Sequence, residues 1–301
     1  MFGIYFGKYL VDEKIITPVQ YDKLIERTKN SKVQMGLLAV EMGLMDEDQT
    51  EEVNQIQQTE DKRFGDIAIE RGYLTEDDVT DILERQGDPY LLFIQALVEE
   101  DILTIEEIRE ELIVYRKTKE LTLSDLEALK TGDVDRITPV FIKNMDMPDA
   151  FRNYVMLTSR NIVRFVDRFF RMERIEKIDE ITVPNLALQR ISEGYPCYTA
   201  FAGTDASISA LAHGFARTAF KVDDEITCTL DATKEFLNCN NGLFLTDLSK
   251  SQNRINVEYP ITRDTQVTIS ANDMYRIPYY VSGMELDLIL CKNAGFRMED
   301  A

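Results

Sequence analysis

The chain has 301 residues, 44% of them apolar, enough for two ordinary domains with packed cores and against a natively disordered protein. There are 34 Lys and Arg against 54 Asp and Glu, and the resulting net charge of -20 opposes extended contact with nucleic-acid phosphate. Cys197, Cys228, Cys239 and Cys291 show no CxxC spacing and His213 is the single histidine, which argues against a zinc cluster, a disulfide framework and most Ser-His or Cys-His nucleophile systems.

The first 117 residues repeat themselves at an interval of 29, with units starting at Phe6, Met35, Phe64 and Phe93. In register, the second position holds Gly7, Gly36, Gly65 and Ile94, and a turn position holds Lys14, Gly43, Gly72 and Asp101. Ile16, Met45, Leu74 and Leu103 follow, and then Thr17, Asp46, Thr75 and Thr104 at a capping position. Each unit reads as a short helix, a left-handed turn, an N-cap and a longer amphipathic helix. Residues 1–117 are therefore expected as an all-α domain of four helical repeats, each burying one face against its neighbours.

The third unit, RFGDIAIERGYLTEDDVTDILERQ, resembles the N-terminal domain of type II secretion and type IV pilus ATPases, matching its motif at Arg63, Phe64, Gly65, Ala68, Gly72, Val79, Leu83 and Gln86. Tandem copies in that family can bind cyclic di-GMP. The resemblance thus implies nucleotide contacts at Gln34, Gly36, Gly43, Arg63, Gly65 and Gly72. The family's leading arginine is present only as Arg63, with Tyr5, Gln34 and Leu92 at the equivalent places, and 13 bases against 27 acids over residues 1–117 oppose an anionic ligand. A protein-docking or spacer role stands beside the ligand reading, with the glycines then serving only as turn residues.

Residues 118–149 hold Gly132, Pro139 and Pro148 and are expected as a linker. From Asp149 an amphipathic helix pattern runs through DAFRNYVMLTSRNIVRFVDRFFRMERI. Strand patterns follow at 187–192 and 197–202, helices at about 205–219 and 224–250, then strands near 255–259, 265–271 and 279–291. His213, in ALAHGFARTAF, reads as a partly buried helix residue. This order predicts an α+β domain over residues 150–301, a mostly antiparallel sheet with long helices on one face.

Within CTLDATKEFLNCNNGLFLTDLSKS, Asp231, Glu235, Asn238 and Gly242 are spaced by four, three and four, so a helix sets them on one face. Leu230, Phe236, Leu237, Phe244 and Leu245 then face a core. This pattern resembles the CheC, CheX and FliY chemotaxis phosphatases, whose helix carries Asp or Ser, then ExxN, then a small residue. The resemblance implies hydrolysis of the aspartyl phosphate of a CheY-type receiver domain. Asn238 would position the water, Glu235 would meet the receiver's lysine, and Asp231 and Gly242 would support them. An amide suffices for such positioning because phosphoryl transfer needs orientation and charge compensation more than a protein nucleophile.

A second ExxN, Glu51 and Asn54, is followed by Gln58 rather than glycine, and in the earlier helix Asn161 is preceded by Thr158, so one site of the CheX type is expected. CNNG at 239–242 departs from the apolar and small residues expected there and predicts weakened packing or a break near Asn240, with activity reduced or lost. No metal or cofactor of its own is expected, since Mg²⁺ would arrive with the receiver. Family members often pair through sheet edges, which carries a homodimer as an expectation. No apolar run approaches the ~18 residues of a membrane span, and MFGIYFGKYLVDEK lacks a basic leader, so a cytoplasmic protein is expected. The alternative is a receiver-binding adaptor without hydrolysis, responsive to cyclic di-GMP.

Overall fold

The computed structural model describes residues 2–30, 32–59, 62–193, 195–219, 229–249 and 256–301. The chain divides into two units, 1–133 and 134–301. Among the described residues no helix is long and apolar enough to cross a membrane.

The first unit is helical throughout: α1 (Phe2–Asp12), α2 (Pro18–Asn30), α3 (Met35–Glu41), α4 (Glu47–Thr59), α5 (Phe64–Glu70), α6 (Glu76–Glu84), α7 (Pro89–Glu99), α8 (Ile105–Thr118) and α9 (Leu123–Thr131). Each helix pair is joined by a turn whose central residue is left-handed: Lys14 at φ 62°, Gly43 at 68°, Gly72 at 74° and Asp101 at 52°. The next helix starts at once because a cap waits there. Thr75 and Thr104 each close a reciprocal capping box, with Asp78 and Glu107, and Thr17 with Gln20 and Asp46 with Gln49 make the same pair of bonds.

The expected stacking of each pair on the next holds for the second pair on the third, where α3 and α4 pack on α5 and α3 also on α6. Helices α1 and α2 also pack on α7, so the first pair closes on the fourth. The physical reason is aromatic: Phe2, Phe6, Tyr9, Phe93 and Tyr115 are buried together, with Phe6 against both Phe93 and Tyr115. A Cβ at Gly3 or Gly7 would overlap the Phe93 ring, so bare backbone at these two positions admits it.

Residues 118–149, expected as a linker, carry α9 and then α10 (Val134–Ile142). Thr122 and Asp125 form a capping box at the start of α9, and left-handed Gly132 ends it. The C-terminal carbonyls of Ile142, Met145 and Met147 are gathered by the Arg152 guanidinium.

The second unit continues with α11 (Asp149–Phe165), β1 (Arg171–Met172), β2 (Glu176–Val183), β3 (Asn185–Ile191), β4 (Cys197–Gly203), α12 (Asp205–Ala219), α13 (Thr229–Ser249), β5 (Ile261–Arg263), β6 (Val267–Val281), β7 (Met284–Lys292) and β8 (Arg297–Asp300). The strands form one sheet ordered β1-β6-β7-β4-β3-β5, with β2 and β8 also on β6 and every pair antiparallel.

The helix from Asp149 stops at Phe165, where the close approach of Gly214 to the Val166 backbone takes the chain past α12, and the segment expected to continue it holds β1. The sequence pattern does not predict strand β2, because a register shift between Ile178 and Glu180 breaks its alternation. The single strand expected over 279–291 is a hairpin: Ser282 and Gly283, at φ 49° and 80°, make the two-residue turn between β6 and β7. The strand expected at 255–259 is reduced to a bridge between Ile191 and Val257, and the start of the helix expected from 224 lies outside the described residues.

The sheet is buried on both faces, which explains the near-continuous apolar runs of β3, β4 and β7. Ala187, Gln189, Thr199 and Phe201 are buried on the face toward α13. The alternate residues Leu186, Leu188, Ala200 and Ala202 form a second core with Val183, Val267, Ile269 and Met274. Strands β2 and β6 thus supply the cover that helices supply on the other face.

Candidate functional site

Helix α13 has two faces of different chemistry. Phe236, Leu237, Phe244 and Leu245 are buried, with Phe236 against Phe201 and Phe215, and Phe244 edge-on to Tyr154. Leu230, expected in the core, is half-buried. Asp231, Glu235, Asn238 and Gly242 are all exposed on the opposite side. The structure brings these four together on one face, as i, i+4, i+7, i+11 spacing requires of an unbroken helix.

The helix is unbroken through 239–242, which corrects the expectation that CNNG disrupts it. Asn240 and Asn241 point inward, 1% and 0% exposed, and their amides are bonded at both ends. Asn240 Oδ1 accepts from Asn161 Nδ2 at 2.6 Å, and Asn240 Nδ2 donates to Thr158 Oγ1 at 2.9 Å. Asn241 Oδ1 accepts from the Tyr154 hydroxyl at 2.7 Å, and Asn241 Nδ2 donates to Gln189 Oε1 at 2.7 Å and Thr199 Oγ1 at 2.8 Å. A buried amide is costly only when unpaired, so this core keeps its polar groups and gains a fixed helix register. Burial holds the Tyr154 phenol well above its ordinary range, and it stays a donor. Thr158 and Asn161, the nearest approach to a second ExxN in this unit, are thereby committed to the interior.

The network reaches the exposed face at one point. Gln189 of β3, 2% exposed, donates through Nε2 to Asn238 Oδ1 at 2.9 Å and to the Glu258 carbonyl at 3.0 Å. Glu235, one turn earlier, forms no ion pair among the described residues, and Lys234 pairs instead with Asp231 at 2.8 Å. That bond holds the Lys234 ammonium above its usual range. Above Gly242 there is open space, since an added Cβ would meet nothing within 4 Å. Leu243 and Tyr259 add exposed apolar surface, at 43% and 80%. The arrangement offers an amide, a carboxylate and a bare helix backbone to a partner surface.

Gln189 and Thr199 belong to no motif read from the sequence, while Tyr154 reads there only as part of an amphipathic helix and Asn241 only as part of CNNG. The available signal was an amide inside the apolar run NLALQRI, since a buried strand admits glutamine only where partners wait for it. His213 is half-buried and its Nδ1 lies 2.8 Å from the Ser209 carbonyl, one turn back on α12.

The candidate nucleotide residues of the first unit are placed differently. Arg63 is exposed before α5 and Gly72 is exposed in its turn. Gly36 and Gly65 are buried, the first under Thr50 and Phe64, the second under Met35 and Val79. Gln34 gives its amide to the Glu99 carboxylate at 2.8 Å and its backbone N–H to Gln95. Gly43 is left-handed and exposed.

No family model and no curated protein matches this chain. Solved structures do. A chemotaxis protein CheX from Desulfovibrio desulfuricans is 16% identical, covering 48% of this chain and 99% of that one, with a TM-score of 0.40. A chemotaxis protein from Desulfovibrio vulgaris Hildenborough is 15% identical over 51% and 100%, with a TM-score of 0.41. A CheX-CheY-BeF3-Mg complex from Borrelia burgdorferi is 10% identical over 50% and 96%, with a TM-score of 0.35.

Proposed function

We propose that the second unit hydrolyses the aspartyl phosphate of a CheY-type receiver domain, with Asn238 meeting the phosphoryl group and Glu235 docking the receiver. The observation that carries this reading is the exposed face of α13. There Asn238 is held from beneath by Gln189, Glu235 is without an ion pair among the described residues, and the helix is bare at Gly242. The CheX-type pattern of Glu235, Asn238 and Gly242 supplies the substrate class.

In the reaction, a water oxygen bonds to phosphorus while the bond to the receiver's aspartate oxygen breaks, and the carboxylate leaves with the electron pair. The water's proton passes to phosphate or solvent. Asn238 contributes orientation, and the charge compensation comes from Mg²⁺ held by the receiver. The first unit, a separate helical body, then serves as a docking or regulatory module. Its acidic surface favours a protein partner over cyclic di-GMP.

The test mixes the full chain with a phosphorylated receiver and Mg²⁺ and follows loss of phosphate. Wild type is expected to accelerate it, and Asn238→Ala to lose roughly a hundredfold or more of that acceleration. Equal rates for the two proteins reject the role of Asn238. Saturable binding of the receiver without any acceleration assigns the chain as an adaptor instead.

A further inference from the structure

The orientation of the Asn238 carboxamide is dictated by a group that has only one hydrogen-bonding choice. The Glu258 backbone carbonyl can only accept, and it lies 3.0 Å from Gln189, so Gln189 turns its amino group to that side. The same amino group lies 2.9 Å from Asn238, whose facing atom is then the acceptor Oδ1. The far end of Gln189 agrees: its Oε1 receives Asn241 Nδ2 at 2.7 Å, while Asn241 Oδ1 receives the Tyr154 hydroxyl. Gln189 and Asn241 are 2% and 0% exposed, so water is a poor substitute for these bonds.

We propose that Gln189 is a positioning residue for Asn238, anchored by Asn241 and the Glu258 carbonyl, and that it turns the Asn238 amino group toward the exposed side. This rests on the reading of Asn238 as the residue that meets the phosphoryl group. In the opposite flip, the Asn238 nitrogen would face the Gln189 amino group, donor against donor. With Oδ1 held inward, Nδ2 is left to donate to a phosphoryl oxygen. The remaining lone pair of Oδ1 accepts the proton side of the attacking water and turns its oxygen lone pair to phosphorus. A surface asparagine without this support would sample both flips and several rotamers.

The test uses the full chain labelled with ¹⁵N, with Asn238→Ala and Gln189→Met, the second keeping the volume of Gln189 without its donors. In wild type, the Gln189 amino protons are expected to exchange slowly with solvent and the Asn238 carboxamide to be rigid. In Gln189→Met, the Asn238 carboxamide becomes mobile, and kcat on the phosphorylated receiver falls roughly ten- to a hundredfold with KM unchanged.

A rigid Asn238 amide in Gln189→Met overturns the proposal. So does an unchanged kcat in Gln189→Met when Asn238→Ala has lost turnover. If Gln189→Met does not fold, the wild-type measurement decides, because Gln189 amino protons that exchange as fast as those of a surface glutamine overturn the proposal. If Asn238→Ala turns over like wild type while the amide signals behave as expected, the phosphatase reading falls and the positioning contact stands.

Discussion

Asn161 of α11 and Asn240 of α13 meet amide to amide at 2.6 Å, neither more than 2% exposed, and Asn240 passes its other end to Thr158. Replacing either asparagine by leucine strands the other's amide in the interior. Each single variant is expected to lose about 1–3 kcal/mol in urea unfolding. The double variant removes both polar groups and is expected to recover part of that loss, as a double-mutant cycle will read. Strict additivity of the two losses would show that the pair is not coupled.

Gly242 separates stability from function. It lies inside a helix with open space where a Cβ would stand, so Gly242→Ala is expected to stabilise the second unit by about 1 kcal/mol. The same methyl group stands one turn from Asn238, on the surface a receiver would cover. Dephosphorylation is expected to fall while the unfolding midpoint rises. A variant that gains stability and keeps full activity removes Gly242 from the docking surface.

The left-handed turns of the first unit make a paired expectation. Lys14 and Asp101 hold φ values of 62° and 52° without being glycine, at the places where Gly43 and Gly72 stand. Lys14→Gly and Asp101→Gly are each expected to stabilise by up to about 1 kcal/mol, and Gly43→Ala to cost about 1–2 kcal/mol. Thermal unfolding of the three variants beside wild type checks the signs.

Burial pushes the thiols of Cys197 and Cys291 up to about 12, while Cys239 is exposed. In a chain with Cys228→Ser, an alkylating reagent at pH 8 is expected to label Cys239 and spare the other two until the protein unfolds. The stability consequence has a definite sign. The folded state keeps both protons at a pH where the unfolded chain has lost them, so stability is intact below the ordinary thiol range near ~8.5. It declines as pH rises from there to about 12. Native labelling of Cys197 or Cys291 at pH 8 would contradict their burial.

The local features of this protein are written in its sequence, because each depends on residues a few places apart. Capping at Thr75 and Thr104, the left-handed turns at Gly43 and Gly72, and the shared face of Asp231, Glu235, Asn238 and Gly242 all follow from helix period and backbone sterics. What bridges distant segments was decided only on folding. Phe93 closes onto α1, β2 and β6 cover the second face of the sheet, and Gln189 reaches Asn238 across 49 positions, none of which a local pattern encodes. CNNG shows the difference most directly: read alone it is a polar interruption. Its two inner asparagines are stable in the core because Tyr154, Thr158, Asn161, Gln189 and Thr199, brought from three other elements, complete their hydrogen bonds.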